Sequence, residues 1–268
     1  MERDLNLPSR TFFTRGAATA LVLLSGCGGG GHTGSPAANT AARAQGAYEG
    51  TLGGASLPSF QLLLLEDGTY YLLAGTGSVS TFVVEGFIQG SGTETSSTQF
   101  TSTNARDFSS LPSTAYNLSA NYVADVSISG SFSAGGGGAS GNFNGVPIST
   151  LVYDYNVTAQ LSNVVGLWDV LVNGLVDSTL TVNANGTYSG TDGGGCSYSG
   201  AITPRPSGKN VFNVTYLNGP APCALPGASA TGVAIVTTPS PGARQLLVVG
   251  TTPDRNQAFV VIGVPTPP

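Results

Sequence analysis

The sequence predicts an all-β protein: two tandem small antiparallel β-barrel-like domains that come after an export signal and a flexible tether. Three observations carry this. Short runs with apolar/polar alternation recur between Gly- and Asn-rich turns, the pattern of a sandwich or barrel. No segment shows a helical period of useful length. A weak internal repeat divides the chain beyond the tether into halves, about 46–163 and 164–268, each with room for roughly eight short strands, the count of a small closed barrel.

In chain order, Arg3, Arg10 and Arg15 precede an apolar run, Ala17 to Leu24, that is shorter than the roughly 20 residues a membrane helix needs. The run closes on Leu24-Ser25-Gly26-Cys27. These residues resemble the lipobox of bacterial lipoproteins. That resemblance implies a signal peptide over 1–26 and acylation of Cys27, which becomes the mature N-terminus and the membrane anchor. Gly28 stands after the cysteine where an aspartate would mark inner-membrane retention, so the same resemblance implies a lipid-anchored protein of the outer membrane, facing the periplasm or the surface. Residues 27–45, with four glycines after Cys27 and an Ala/Asn/Thr stretch, read as the tether.

Beyond the signal, Arg43, Arg106, Arg205, Lys209, Arg244 and Arg255 face twelve carboxylates, a net charge of −6. With no basic cluster, nucleic acid is excluded as a partner class. Charged residues make up only 9% of the chain, yet the 40% hydrophobic content in regular runs argues for a folded core rather than disorder. Cys196 and Cys223 are the remaining cysteines. An even pair in an exported chain most simply forms a disulfide.

The alternation is cleanest from Ala120 to Phe132, with Tyr122, Ala124, Val126, Ile128 and Phe132 on one face, and over Leu151, Tyr153, Tyr155 and Val157. Each reads as a strand with one wet face. Glu66-Asp67-Gly68 and Ala184-Asn185-Gly186 supply the positive φ of tight hairpins. The repeat aligns Gly46-Ala47-Tyr48 and Asp67-Gly68-Thr69-Tyr70 with Gly166-Leu167-Trp168 and Asn185-Gly186-Thr187-Tyr188. Other strands, around Phe60 to Leu65, Tyr70 to Leu73, Leu246 to Val249 and Phe259 to Val264, are apolar on both faces. Such strands are covered on both sides. Early strands of the first domain are therefore expected to pack on late strands of the second, or else to form a surface that meets another protein.

Catalytic devices are scarce. The single histidine, His32, lies in the tether, so Ser-His-Asp and Cys-His arrangements lack a base. Metal hydrolysis lacks His-rich ligands, and no cofactor is implied. Carboxylate pairs could come from Glu49, Glu66, Asp67, Glu85, Asp154, Asp169 and Asp177, although Glu66-Asp67 reads more simply as a solvated turn. Arg106 and Asp154 belong to no recognisable charged site.

Gly166-Leu167-Trp168 opening a strand resembles lipocalin-like barrels, in which the tryptophan plugs the closed end. The stretch from Cys196-Ser197-Tyr198-Ser199-Gly200 through Ile202 to Asn210, with Cys223, resembles uncharacterised proteobacterial lipoproteins with a glycine-rich β body, a resemblance that brings no activity or site with it. The expectation is a non-enzymatic envelope lipoprotein whose β body serves protein interaction or a structural role. The alternative is a small apolar ligand held inside a barrel.

Overall fold

A computed structural model describes residues 44–54, 56–78, 81–109, 112–135, 140–174 and 176–267. The expected signal peptide, Cys27, His32 and most of the expected tether lie outside the described residues. Ala44, placed in the tether by its sequence, is fully buried in the first barrel. Its N–H donates to Glu94 Oε1 (2.9 Å) and its carbonyl accepts from Tyr48 Oη (3.0 Å).

The first barrel comprises β1 (Gly46–Gly53), β2 (Ser59–Leu64), β3 (Thr69–Thr76), β4 (Val83–Ser91) and β5 (Thr93–Ser96). It continues with β6 (Gln99–Asp107), β7 (Thr114–Val123), β8 (Ser127–Ala134) and β9 (Ser140–Pro147). The sheet order is β4-β3-β2-β1-β9-β8-β7-β6-β5. The ring closes where Ile88 and Gln89 of β4 meet Asp107 and Arg106 of β6. Only Gly92 separates β4 from β5, so together they act as one bent strand and the ring counts eight.

The second barrel comprises β10 (Gly166–Val172), β11 (Val176–Val182), β12 (Thr187–Asp192) and β13 (Ser197–Pro204). It is completed by β14 (Phe212–Asn218), β15 (Ser229–Thr237), β16 (Gln245–Thr251) and β17 (Ala258–Pro265). Each strand pairs antiparallel with the next, and β10 closes on β17. The protein is thus built of two closed eight-stranded antiparallel barrels, joined through a single 3-10 turn at Leu161–Asn163.

The internal repeat has a geometric counterpart. Tyr48 Oη donates to the carbonyl four residues upstream, and Trp168 Nε1 does the same to Val164 (2.8 Å). At the β2–β3 and β11–β12 hairpins, Gly68 and Gly186 adopt φ of 79° and 83°, the left-handed region that favours glycine. Asp67 and Asn185 each accept the backbone N–H two residues on, at 2.9 and 3.0 Å.

Aromatic rings fill both interiors. In the first barrel Phe60 meets Phe143 edge-on at 5.8 Å, and Tyr70 meets Phe100 at 5.9 Å. The Tyr70 ring lies where a Cβ on Gly90 would stand, 2.5 Å from its hydroxyl oxygen. The Tyr188 hydroxyl likewise sits over Gly200 in the second barrel. Inward glycine on one strand here makes room for a large ring from its neighbour.

Two segments depart from their sequence reading. Ala120 to Phe132 is a hairpin rather than one strand. Val126 N–H donates to the Val123 carbonyl (3.0 Å) and Asp125 takes φ 58°. Tyr122 and Ile128 pair across the hairpin, both facing inward. They are an even number of residues apart, so the period of two runs through the turn unbroken, while Ala124 and Val126 at the tip are exposed. Leu151 to Thr158 forms no strand either. Leu151 is 88% exposed, whereas Tyr153 and Tyr155 are both buried. Their hydroxyls reach Asn210 O and Glu66 Oε2, docking the connector against both barrels.

The strands apolar on both faces pack as their pattern implies. Leu63, Leu65, Leu73, Phe87 and Phe108 from the first barrel form one core with Val211, Val233, Ile235, Val249 and Val260 from the second. Cys196 and Cys223 form a disulfide with Cα atoms 4.5 Å apart, joining the β12–β13 and β14–β15 connections. Closing that loop is worth about 3–4 kcal/mol on the chain-entropy account.

Candidate ligand crevice between the barrels

Outward side chains of β2 and β3 meet outward side chains of β15 and β16, but they do not fill the space between them. An apolar crevice of about 380 Å³, part of it open to solvent, is bounded by Leu63, Tyr71 and Leu73 on one side. Val233, Ile235, Leu247 and Val249 bound the other. Gln61 is the one polar amide in its lining. Junctions between domains are a common place for small-molecule sites. The enclosed space here is about 30 Å³, room for little more than one or two water molecules, and the rest is open to solvent. Tyr71 stacks on Phe87, with centroids 6.3 Å apart and planes 8° from parallel. Burial pushes its hydroxyl pKa to about 12, so this wall of the crevice stays uncharged.

The Glu66-Asp67 turn is not merely solvated. Arg205, from the turn after β13, donates through Nε to Glu66 Oε1 (2.5 Å) and through Nη2 to Asp67 Oδ2 (2.6 Å). Its Nη1 reaches Asn213 Oδ1 at 2.9 Å. The Tyr155 hydroxyl also reaches Glu66. This ion pair therefore ties a hairpin of the first barrel to one of the second, 139 residues away in sequence.

Burial raises the Asp67 pKa, but the Thr69 N–H and Arg205 outweigh it, so the carboxyl titrates below its ordinary value of 3.8. A depressed folded pKa contributes stability above the unfolded value and loses it as pH falls through the folded one. Stability is therefore expected to drop on acidification below about pH 4, and Arg205→Gln should reduce the part of that drop carried by Asp67. Asp67 is half exposed, so solvent holds the effect to on the order of 1 kcal/mol. Melting curves of both proteins between pH 6 and pH 3 provide the check; parallel pH profiles would show that the pair contributes nothing.

The other carboxylates do not converge. Glu85 accepts from Thr76 Oγ1, Asp154 caps its own turn at Asn156 N–H, and Asp169 and Asp177 are exposed. Glu49 stands on β1 opposite Gln61 and Val146. Among the described residues, no three His, Cys, Asp or Glu side chains group as metal ligands. Trp168 is core, with the Arg244 guanidinium 5.4 Å over its ring.

The sequence matches no protein-family profile, and a search of curated proteins finds no significant match. Among solved structures, one similar chain is the crystal structure of a protein of unknown function from the DUF3598 family of Nostoc punctiforme. It shares 11% identity and covers 84% of this chain and 97% of its own, with a TM-score of 0.25. The fold therefore rests on the strand registers. The same registers locate the crevice, where sequence patterning alone predicts a fully covered junction.

Proposed function

We propose that the protein is a non-enzymatic binder of a small apolar ligand, anchored in a bacterial envelope by acylated Cys27. The observation that carries the binding role is the apolar crevice between barrels whose interiors are filled by rings. This moves the ligand from inside a barrel to the seam between two. It also weakens the argument for a protein partner, because the strands that could have formed an exposed apolar patch are spent on the junction. Export to an oxidising compartment is supported by the lipobox-like Leu24-Ser25-Gly26-Cys27 and by the Cys196–Cys223 bridge.

An uncharged fluorophore, N-phenyl-1-naphthylamine, should brighten on binding the purified protein. Leu247→Trp and Gln61→Trp, which fill the crevice from opposite walls, should each weaken binding at least tenfold with little change in melting temperature. Equal binding by the filled variants, or no binding by the wild type, would refute the crevice as the site. Cys27→Ala should abolish palmitate labelling and membrane recovery; persistence of both would refute the anchor.

A further inference from the structure

Among the described residues five side chains carry positive charge, and three are accounted for. Arg205 pairs with Glu66 and Asp67, Lys209 lies over the Tyr155 ring, and Arg244 lies over Trp168. Arg106 and Arg255 have neither a carboxylate nor a ring among the described residues, and the fold brings both to Gln89. Arg106 on β6 is the register partner of Gln89 on β4. Arg255, at the tip of the β16–β17 hairpin of the other barrel, donates through Nη2 to the Gln89 carbonyl at 2.7 Å.

The carboxylates next to these arginines in sequence are turned to other donors. Asp254 spends its carboxylate on Thr252 Oγ1 and on the Asn256 backbone and amide. Asp107 accepts the Ser109 N–H. Arg106 bonds Ser113 Oγ, at 3.2 Å. Arg255 Nε and Gln89 Oε1 are buried with no partner, which is costly for a donor on a cation. Burial and the nearby charge of Arg106 both lower the Arg255 pKa, as expected of two cations held together without an anion.

The pair lies outside the crevice lining, and the strand registers connect it to the crevice wall. On the first barrel Leu63, Tyr71, Gln89 and Arg106 are successive cross-strand partners, so their side chains share the outer face. At a strand spacing of about 4.8 Å, the row covers roughly 14 Å from apolar wall to cation. On the second barrel, the strand that carries Leu247 and Val249 runs on into the hairpin that presents Arg255.

We propose that the crevice takes an anionic amphiphile, its chain against Leu63, Tyr71, Leu247 and Val249 and its ionised oxygens between Arg106 and Arg255. The inference rests on the crevice reading and names the class of its ligand. A carboxylate or phosphate head supplies the acceptor that Arg255 Nε lacks. Arg106, which stands in no charged site recognisable from the sequence, becomes a binding residue.

Calorimetric titration of the full-length protein with dodecanoate, dodecyl phosphate and uncharged dodecanol tests this. At least one anion should bind tenfold or more tightly than dodecanol. Arg255→Gln should remove that preference and leave dodecanol binding unchanged. Arg106→Gln should do the same, and it keeps the test open if loss of the Gln89 contact impairs folding of the Arg255 variant. Equal affinity for all three ligands, or an anion preference that survives both substitutions, overturns the head-group site while the crevice stands. Failure of all three to bind overturns the crevice reading beneath it.

Discussion

Trp168→Ala is expected to destabilise the second barrel by about 3–5 kcal/mol, the range for removing a large buried aromatic. Trp168 is among the largest fully buried side chains. Its indole N–H holds the Val164 carbonyl and its ring carries the Arg244 guanidinium. The substitution therefore empties the end of the barrel and leaves a carbonyl without its donor, where the connector enters β10. Domains of this size keep only about 5–15 kcal/mol in total, so the variant should melt well below the wild type or fail to accumulate. Trp168→Phe, which restores most of the volume but not the N–H, should recover the larger share. Denaturant titration monitored by tyrosine fluorescence and circular dichroism measures both. A loss below about 1 kcal/mol for the alanine variant would show that the ring does not close the barrel.

Leu65→Asp should act on the junction instead. Leu65 is almost fully buried among side chains from both barrels. Its replacement removes a large apolar group and puts a carboxylate where the surroundings offer little compensation, a cost of at least about 3 kcal/mol. The introduced carboxyl escapes part of that cost by staying protonated. Its folded pKa should therefore rise, and the variant should regain stability relative to wild type as pH falls through that raised value. The barrels have separate interiors, so the expected signature is two resolved unfolding transitions and faster proteolysis in the connector between β9 and β10. One transition at the wild-type midpoint would show that the junction does not couple the barrels.

Much of the architecture was legible in the sequence because it depends on local chemistry. Asp67-Gly68 and Asn185-Gly186 announce their hairpins through a backbone conformation that few other residues adopt. The paired Tyr48 and Trp168 motifs announce the repeat. Leu63 and Leu65, alternating with Leu62 and Leu64, announce a strand covered on both sides. What escaped was non-local. Alternation cannot separate one strand from a hairpin whose turn preserves parity, as at Asp125. Nor can it show that Tyr153 and Tyr155 serve a connector pinned by their hydroxyls. The Arg205 contact with Glu66 and Asp67 depends on how two barrels meet, and so does the convergence of Arg106 with Arg255. The crevice is a product of imperfect fit between two faces that each look complete in sequence.

Ring closure also governs how this body can meet other chains. In a closed ladder nearly every backbone N–H and C=O along the strands is already paired, so an incoming polypeptide finds no edge to extend. Among the described residues, the first barrel leaves two margins outside its ladders: the outer side of β5, and Val83 to Gly86 of β4, which meets β6 only at Ile88 and Gln89. The β5 margin is four residues long, Thr93 to Ser96, wholly polar, and Glu94 within it holds the Ala44 N–H. A short polar margin carrying a charge is a poor template for strand addition and for aggregation. Polymerisation through the β5 margin is thereby disfavoured, and a partner that meets this side of the barrel must be recognised through side chains.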